Sequence, residues 1–283
     1  MTALLASGQL RKMAVTLDTE NPQESFARYI LPLGDTRIEL NSLLGKTLRM
    51  QYLQLITCIA CGRKTKTSFN QGYCYPCFQS LAQCDSCIVS PEKCHFDLGT
   101  CREPDWAESH CMQDHIVYLA NSSGLKVGIT RHTQIPTRWL DQGAAQALPI
   151  VRVKTRQQAG LVEVIFKQHV ADKTNWRNLL KGVPEMIDLA AERDTLLRSC
   201  ALELSALSDR FGLQSIQPLY SAENVQISYP VTQYPVKIAS LDLEKLQQVG
   251  GVLMGIKGQY LIFDSGVINM RKYAGYHLEC IVE

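Results

Sequence analysis

The sequence lacks a long apolar run, and this absence excludes a membrane-embedded class of protein. No window of the 283 residues approaches the ~18 apolar residues of a membrane-spanning helix. The N-terminal stretch MTALLASGQLRKM has only a short apolar segment before its first charge, so we do not expect a secretory signal peptide. Internal repeats and low-complexity tracts are also missing. We therefore expect a cytoplasmic protein that has no membrane partner.

A large net charge is missing as well. The 29 Lys and Arg residues nearly balance 27 Asp and Glu residues, which leaves a formal charge of +2. This excludes a protein that holds nucleic acid by its overall charge. The distribution is uneven, however, because residues 111–182 contain ten basic and four acidic residues. This segment provides either a surface for a phosphate-rich partner or an ordinary solvated basic face.

Cysteine is abundant, but its placement is not that of a disulfide-bonded protein. Nine of the 11 cysteines fall between Cys58 and Cys111, mostly in C-x-x-C pairs. In a reducing compartment, clustered C-x-x-C pairs indicate metal ligands. The segment shows little apolar periodicity, so it needs metal as its core. We expect the metal to be structural, because the thiols are numerous enough to close each site.

The first predicted zinc site consists of two thiolate knuckles. Cys58-x2-Cys61 and Cys74-x2-Cys77 each place two sulfurs along one edge of a tetrahedron, and together they complete a four-thiolate site for Zn²⁺. The spacing leaves an interleaved arrangement open, in which the pair at 58–61 shares a metal with the pair at 84–87. The knuckles therefore predict zinc without fixing how the pairs combine.

A second closed zinc site is expected from the thiols that follow the first. Its predicted ligands are Cys84, Cys87, Cys94 and Cys101. His95, His110 and Cys111 are further candidates, so the segment offers more ligands than places. We expect about two structural zinc ions per chain.

The pattern of elements predicts an α+β fold. Runs of β character near both ends are each too short for an independent sheet, so we expect 28–56 and 225–283 to share one. A helix is predicted from Pro184 to a stop at Gly212. The predicted segments are a β-rich 1–56, a zinc-binding 57–111, a compact α/β unit at 112–182, a linking helix at 183–212 and a β-rich 213–283.

The α/β unit opens with a predicted hairpin, HIVYLANSSGLKVGITR at 115–131. Pairing through NSSG makes Tyr118 a neighbour of Lys126 and Gly128 on the second strand. The absence of a side chain at Gly128 would let a phosphodiester approach the sheet closely. A helix is then predicted from about Arg156 to Ala171, with Glu163 at the edge of its apolar face. Such a carboxylate needs a partner, either an arginine or a divalent cation.

Polar residues follow one another in a recognisable order within 116–175. After VYL and KVGIT come an arginine ten residues past the glycine, a glutamate on a later helix and an asparagine twelve residues further on. This order resembles the GIY-YIG nuclease superfamily, especially the subgroup whose second motif reads K-[IV]-G-[IV]-T. The preceding cysteines and the DQGA and KTNWR segments resemble an uncharacterised bacterial family that joins zinc knuckles to such a hairpin. The resemblance implies a GIY-YIG-like domain in 112–182.

The resemblance also implies roles for individual residues. Tyr118 would orient or activate the nucleophilic water, and Arg138 would stabilise charge on the scissile phosphate. Glu163 would bind catalytic Mg²⁺ or Mn²⁺, with Asn175 as a supporting polar residue. Lys126 stands where well-studied members carry a second tyrosine. It can act as a general base only if burial or nearby arginines lower its pKa.

These observations lead us to expect a metal-dependent phosphodiesterase that acts on DNA or RNA. The alternative is a nucleic-acid-binding protein that has lost cleavage, and a third possibility is a scaffold whose zinc sites mediate protein contacts. Trp139 is either a packing residue or a platform for a base. The predicted nucleic-acid-binding residues are Gly128, Thr130, Arg131, Trp139 and Arg156.

Overall fold

The computed structural model describes residues 2–19, 25–173 and 175–283 and confirms the predicted α+β class. None of the helices in these ranges is long and apolar enough to cross a membrane. The strands are β1 (Ala3–Gln9), β2 (Ala14–Asp18), β3 (Phe26–Leu33), β4 (Thr36–Glu39), β5 (Thr47–Ile56), β6 (His115–Asn121), β7 (Leu125–Arg131), β8 (Gln146–Val153), β9 (Ile216–Pro218), β10 (Val225–Gln226), β11 (Gln248–Lys257), β12 (Tyr260–Phe263), β13 (Gly266–Asn269) and β14 (Tyr276–Val282).

Helices surround and connect these strands. They are α1 (Tyr75–Ser80), α2 (Ser86–Val89), α3 (Pro104–His110), α4 (Thr137–Asp141), α5 (Arg156–Phe166), α6 (Trp176–Leu179), α7 (Leu189–Ser199), α8 (Ala201–Phe211) and α9 (Leu243–Leu246). Short 3₁₀ turns also occur, at 91–93 and 96–98 among other places.

The terminal sheet, with strand order β1-β14-β5-β11-β12-β13, joins strands from both ends of the chain. Strand β5 lies between β11 and β14, so Met50 is paired with Val249 on one side and Cys280 on the other. Leu48 and Met50 alternate with more exposed residues along β5, the pattern of a strand with one buried face. A small sheet, β2-β3-β4, contributes to the same hydrophobic core.

The central sheet, with order β10-β8-β6-β7 and β9 beside β8, is buried on both faces. Val117 and Leu119 of β6 pack with α5, α7 and α8, whereas Ile116, Tyr118 and Ala120 belong to the core shared with the terminal sheet. Every residue of β6 is buried. This two-sided burial explains why β6 reads as an almost unbroken apolar run instead of an alternating one.

Helix α5 begins as predicted at Arg156 but ends at Phe166 instead of Ala171. Thr155 and Gln158 form a capping box at its start. Beyond its end the chain bends back to the sheet, where the backbone carbonyl of Ala171 accepts a hydrogen bond of 2.8 Å from the amide of Val127. A continued helix could not make this bond, so the segment after α5 lies along the free edge of β7.

The linking segment forms two helices, α7 and α8, and α7 starts at Leu189 instead of Pro184. The Gln146 side chain accepts from the backbone amide of Ile187 and donates to its carbonyl, both at 2.9 Å. These bonds hold the chain before Asp188 in an extended form. Asp188 then caps α7 through the amides of Ala190 and Ala191.

Candidate functional site

The β6–β7 hairpin pairs Tyr118 directly with Gly128. The tyrosine is fully buried, and a Cβ atom added at Gly128 would lie 2.7 Å from the tyrosine hydroxyl oxygen. The space above Gly128 is therefore filled by the ring of Tyr118, not left open for a phosphodiester as expected from the sequence. The glycine is needed here for packing within the hairpin.

A single carboxamide links Tyr118 to Lys126. The Oε1 atom of Gln142, just after α4, accepts from the Tyr118 hydroxyl at 3.0 Å and from Lys126 Nζ at 2.6 Å. Lys126 is only 4% exposed. Burial, together with the positive charge of Arg138, lowers the pKa of Lys126 to about 8, against the opposing effect of Glu163 and Asp172. Burial raises the pKa of the Tyr118 hydroxyl, Arg138 lowers it and Glu163 raises it. Arg138 and Glu163 therefore act on both Tyr118 and Lys126.

Glu163 has a lysine partner in this structure. Its Oε2 lies 3.4 Å from Lys167 Nζ, one helical turn away, and the same ammonium lies 3.2 Å from Asp172 Oδ2. Burial raises the pKa of Glu163, while Lys167 and, more weakly, Arg138 act to lower it. Two carboxylates thus face one cation beside the Lys126 amine.

A basic cleft of about 500 Å³ lies next to these residues. Its charged lining residues are Lys12, Arg131, Arg138, Arg156, Arg271 and Asp141. Asp141 forms an ion pair with Lys12, and its other oxygen accepts from Gln259 at 3.0 Å. The single carboxylate is therefore engaged, so the cleft carries an excess of positive charge that suits an anion.

Arg138 connects the cleft with the Lys126 cluster. Burial lowers the pKa values of Arg156 and Arg271, and the positive charge of Arg138 lowers both further. The same charge acts on Lys126. Arg138, which lines the cleft, therefore acts electrostatically on Lys126 and Glu163, which are not among the lining residues. Tyr118 is fully buried and shares the carboxamide of Gln142 with Lys126.

The cysteine segment forms a second wall of the cleft, with Asn70, Gln71, Ile88 and Val89. The guanidinium of Arg156 donates to the Ile88 carbonyl at 2.7 Å, which fixes this wall to the start of α5. Val89 is 81% exposed at the mouth of the cleft. One wall therefore offers cations and the other offers amide and apolar groups.

Several predicted residues lie elsewhere or have other partners. Trp139 is 2% exposed and packs edge-on against Tyr118, so it is a core residue that offers no face to a base. The side-chain oxygen of Asn175 caps α6 by accepting from the amides of Arg177 and Asn178. Thr130 is buried but lines the cleft through part of its surface.

Four thiols form a group that could hold a metal ion such as zinc. The sulfurs of Cys58, Cys61, Cys74 and Cys77 lie within 4.8 Å of one another. Burial acts to raise the pKa of Cys58, but hydrogen bonds from the backbone, led by the amide of Cys74, lower it to about 6. A thiolate is the form that binds zinc. The knuckles combine in sequence order and not in the interleaved arrangement.

The predicted second set of four thiols does not assemble in the same way. Within the described ranges, the other group with ligand atoms inside 4.8 Å consists of Asp85, Cys87 and His95. Cys84 lies near the first site instead. Burial raises the pKa of its thiol, a hydrogen bond with Asn70 lowers it, and Cys58 of the first site raises it. Cys84 precedes α2 and Cys87 lies within it, a difference that the C-x-x-C spacing alone does not reveal.

Sequence reasoning did not identify Gln142, Lys12 or Arg271. Gln142 lies in the DQGA segment that resembles the uncharacterised family, but only the structure shows that its side chain joins two donors. Lys12 and Arg271 lie at opposite ends of the chain and enter the cleft through the terminal sheet and the turn after β13.

A family model described as "Protein of unknown function (DUF2797)" matches residues 45–278. No curated protein and no solved structure matches the chain. The matched range includes the thiol group, the central sheet and the cleft arginines, whereas Lys12 lies before it.

Proposed function

The chain belongs to the uncharacterised DUF2797 family, and we propose that it binds nucleic acid through the phosphodiester backbone in the basic cleft. The observation that carries this proposal is the charge of the cleft. Four arginines and one lysine line it, and its one lining carboxylate is already paired with the lysine. Arginine forms paired hydrogen bonds with phosphate oxygens, so this lining suits a phosphodiester.

The surroundings of the cleft also favour nucleic acid over a small anion. The wall formed by Gln71, Ile88 and Val89 provides an amide and apolar surface that a base or sugar can cover. Zinc on the four-thiol group would stabilise the segment that carries this wall, because such a segment has little apolar core of its own.

Binding is tested by fluorescence anisotropy with labelled single-stranded and duplex DNA and RNA over a range of salt concentrations. We expect the logarithm of the association constant to fall linearly with the logarithm of salt concentration. Arg131→Ala and Arg138→Ala should each weaken binding and reduce the magnitude of that slope by about 1. Arg37→Ala, an exposed arginine on β4, serves as the control. Wild-type binding that is absent, or that is unaffected by both cleft variants, would contradict the proposal.

Metal-dependent cleavage is a second candidate function, favoured by the Lys126 amine and in line with the GIY-YIG resemblance. With a pKa of about 8, part of the amine is neutral near neutral pH. A neutral Lys126 would take a proton from water as the water oxygen attacks phosphorus and the bond to the leaving oxygen breaks. Arg138 would stabilise the charge that builds on the phosphoryl oxygens.

Glu163 and Asp172 fit the divalent cation that this chemistry needs. Both present carboxylate oxygens to the ammonium of Lys167, and oxygen ligands are those that Mg²⁺ and Mn²⁺ prefer. A bound ion would supply positive charge to the leaving oxygen. Tyr118 is fully buried and donates to Gln142, the residue that also accepts from Lys126, which suits Tyr118 to a positioning role.

Cleavage is tested by incubating the same labelled nucleic acids with protein and Mg²⁺ or Mn²⁺. Glu163→Gln and Lys126→Met should each abolish product, on the order of 10²-fold or more, while Arg37→Ala keeps wild-type activity. Binding without cleavage by the wild-type protein would reject this second function and leave the first intact.

A further inference from the structure

A second group of metal-ligand type lies apart from the four-thiol group. The ligand atoms of Asp85, Cys87 and His95 all lie within 4.8 Å of one another. Asp85 caps α2, Cys87 lies in that helix, and His95 precedes the 3₁₀ turn at 96–98. Two separate turns of the cysteine segment therefore bring a carboxylate, a thiol and an imidazole to one point.

The hydrogen bonds of His95 determine which ring nitrogen carries its proton. The Thr100 hydroxyl donates its only hydrogen to the backbone carbonyl of His95, at 3.3 Å. Its oxygen lies 2.8 Å from His95 Nδ1, and this contact therefore needs Nδ1 to be the donor. In the neutral ring, Nε2 is then left with a lone pair. That atom faces Asp85 Oδ2 at 3.4 Å.

Three atoms of metal-ligand type thus converge: Nε2 of His95, a carboxylate oxygen of Asp85 and the sulfur of Cys87. Asp85 already accepts hydrogen bonds from the Ser86 amide and hydroxyl and pairs with Arg102, and a metal ion would give His95 and Cys87 a partner that they share with it. A proton on His95 would satisfy only the contact with Asp85 and would leave Cys87 uninvolved. A metal ion satisfies all three.

We propose that Asp85, Cys87 and His95 bind a second metal ion, which the mixture of sulfur, nitrogen and oxygen ligands identifies as Zn²⁺. The surrounding bonds are those of an oriented ligand set. Thr100 holds His95 through the nitrogen that does not face the metal, as carboxylates and carbonyls do around other zinc-bound histidines. Arg102 Nε lies 2.9 Å from Asp85 Oδ2 and fixes the carboxylate.

Burial first, and then Asp85, Cys94 and Cys111, raise the pKa of the Cys87 thiol to about 11, so Cys94 and Cys111 lie near the three ligands. Cys94 and Cys111 are also fixed in place, since their carbonyls accept from the Gln157 side chain and the Arg156 amide, each at 2.8 Å. The site therefore ties α2 to the start of α5, directly behind the cleft wall of Ile88 and Val89.

The experiment is metal analysis of the full-length protein and of single variants. Wild type is expected to contain about two zinc ions per chain. Cys87→Ser and His95→Asn should each lose one ion, whereas Cys84→Ser, a matched change three residues from Cys87, should keep both. One ion in the wild type, or two ions in both ligand variants, would overturn the proposal.

Thr100→Val keeps every ligand and guards against variants that fail to fold. It removes the partner of His95 Nδ1, so chelator competition should show the second zinc released about 10- to 100-fold more readily, with the first unchanged. His95→Cys supplies another zinc ligand and should restore two ions per chain. If His95 were only a protonated partner of Asp85, Thr100→Val would leave the affinity of both ions at the wild-type value, which would also overturn the proposal.

Discussion

At the scale of single residues, Lys126 is the least ordinary feature of the protein. An ammonium that is 4% exposed has lost most of its hydration, and the carboxamide of Gln142, which accepts from it, carries no charge. Such a residue costs stability, and proteins retain it where the amine has a task. Whether that task is chemistry or phosphate binding, the amine depends on Gln142 for its position.

The cost of burying Lys126 should appear in the pH dependence of stability. Its folded pKa of about 8 lies below the ordinary value, so the unfolded chain binds the extra proton between these two values. The penalty is therefore complete below pH 8 and is relieved as the pH rises toward about 10.4.

Relative to Lys126→Met, the wild-type protein should gain up to about 3 kcal/mol in free energy of unfolding between pH 7 and pH 10. Urea unfolding at both pH values measures this difference. Lys245→Met is the control, because it removes a lysine whose amine is exposed to water and should leave the pH dependence of stability unchanged. A stability difference between wild type and Lys126→Met that stays constant with pH would show that the amine titrates normally.

At the scale of elements, the contact between α5 and the cysteine segment determines the shape of the cleft. Gly160 of α5 faces the turn at 91–93, where an added Cβ would lie 2.5 Å from the backbone nitrogen of Glu92. Backbone atoms cannot yield as a flexible side chain can. A glycine in the middle of a helix is normally unfavourable, so its presence here reflects this close approach.

Gly160→Ala should therefore separate the cysteine segment from α5, despite the better helix propensity of alanine. Hydrogen exchange should become faster in residues 84–101, and nucleic-acid binding should weaken. Gly182→Ala is the control, because a Cβ there meets nothing within 4 Å. Unchanged exchange in the Gly160 variant would mean that the two elements can move apart without cost.

The elements also show what the sequence could and could not predict. The hairpin and α5 were predictable because apolar periodicity and turn residues are local signals. The predicted start of the linking helix at Pro184 was wrong, because the side chain of Gln146, 41 residues before Ile187, holds the chain there outside the helix. The basic character of 111–182 was visible, but Lys12 and Arg271 reach the cleft only through tertiary folding. Trp139 could not be assigned to the core until the second face of the sheet was known.

At the scale of the whole molecule, the cleft depends on parts that are stabilised in different ways. The terminal and central sheets bury large apolar clusters, whereas the cysteine segment relies on its thiols and on contacts with α5. Removing metal should therefore affect one wall of the cleft and leave the sheets folded.

Prolonged treatment with a chelator should release zinc and weaken nucleic-acid binding, while far-ultraviolet circular dichroism keeps the strand signal of the sheets. Proteolysis should then cut first within 57–111, and added Zn²⁺ should restore protection. Cooperative loss of the strand signal on chelation would contradict this separation of stability.

Because both faces of the central sheet are covered, the hairpin depends on neighbouring parts of the chain for its burial. A hairpin with one solvated side can pass from one gene to another as a portable unit. Here, residues 112–182 separated from both ends of the chain would expose Ile116, Tyr118 and Ala120 to water. The unit and its surrounding strands are therefore expected to travel together through evolution. Changes at the mouth of the cleft would leave this packing intact, whereas exchange of the hairpin would disturb it.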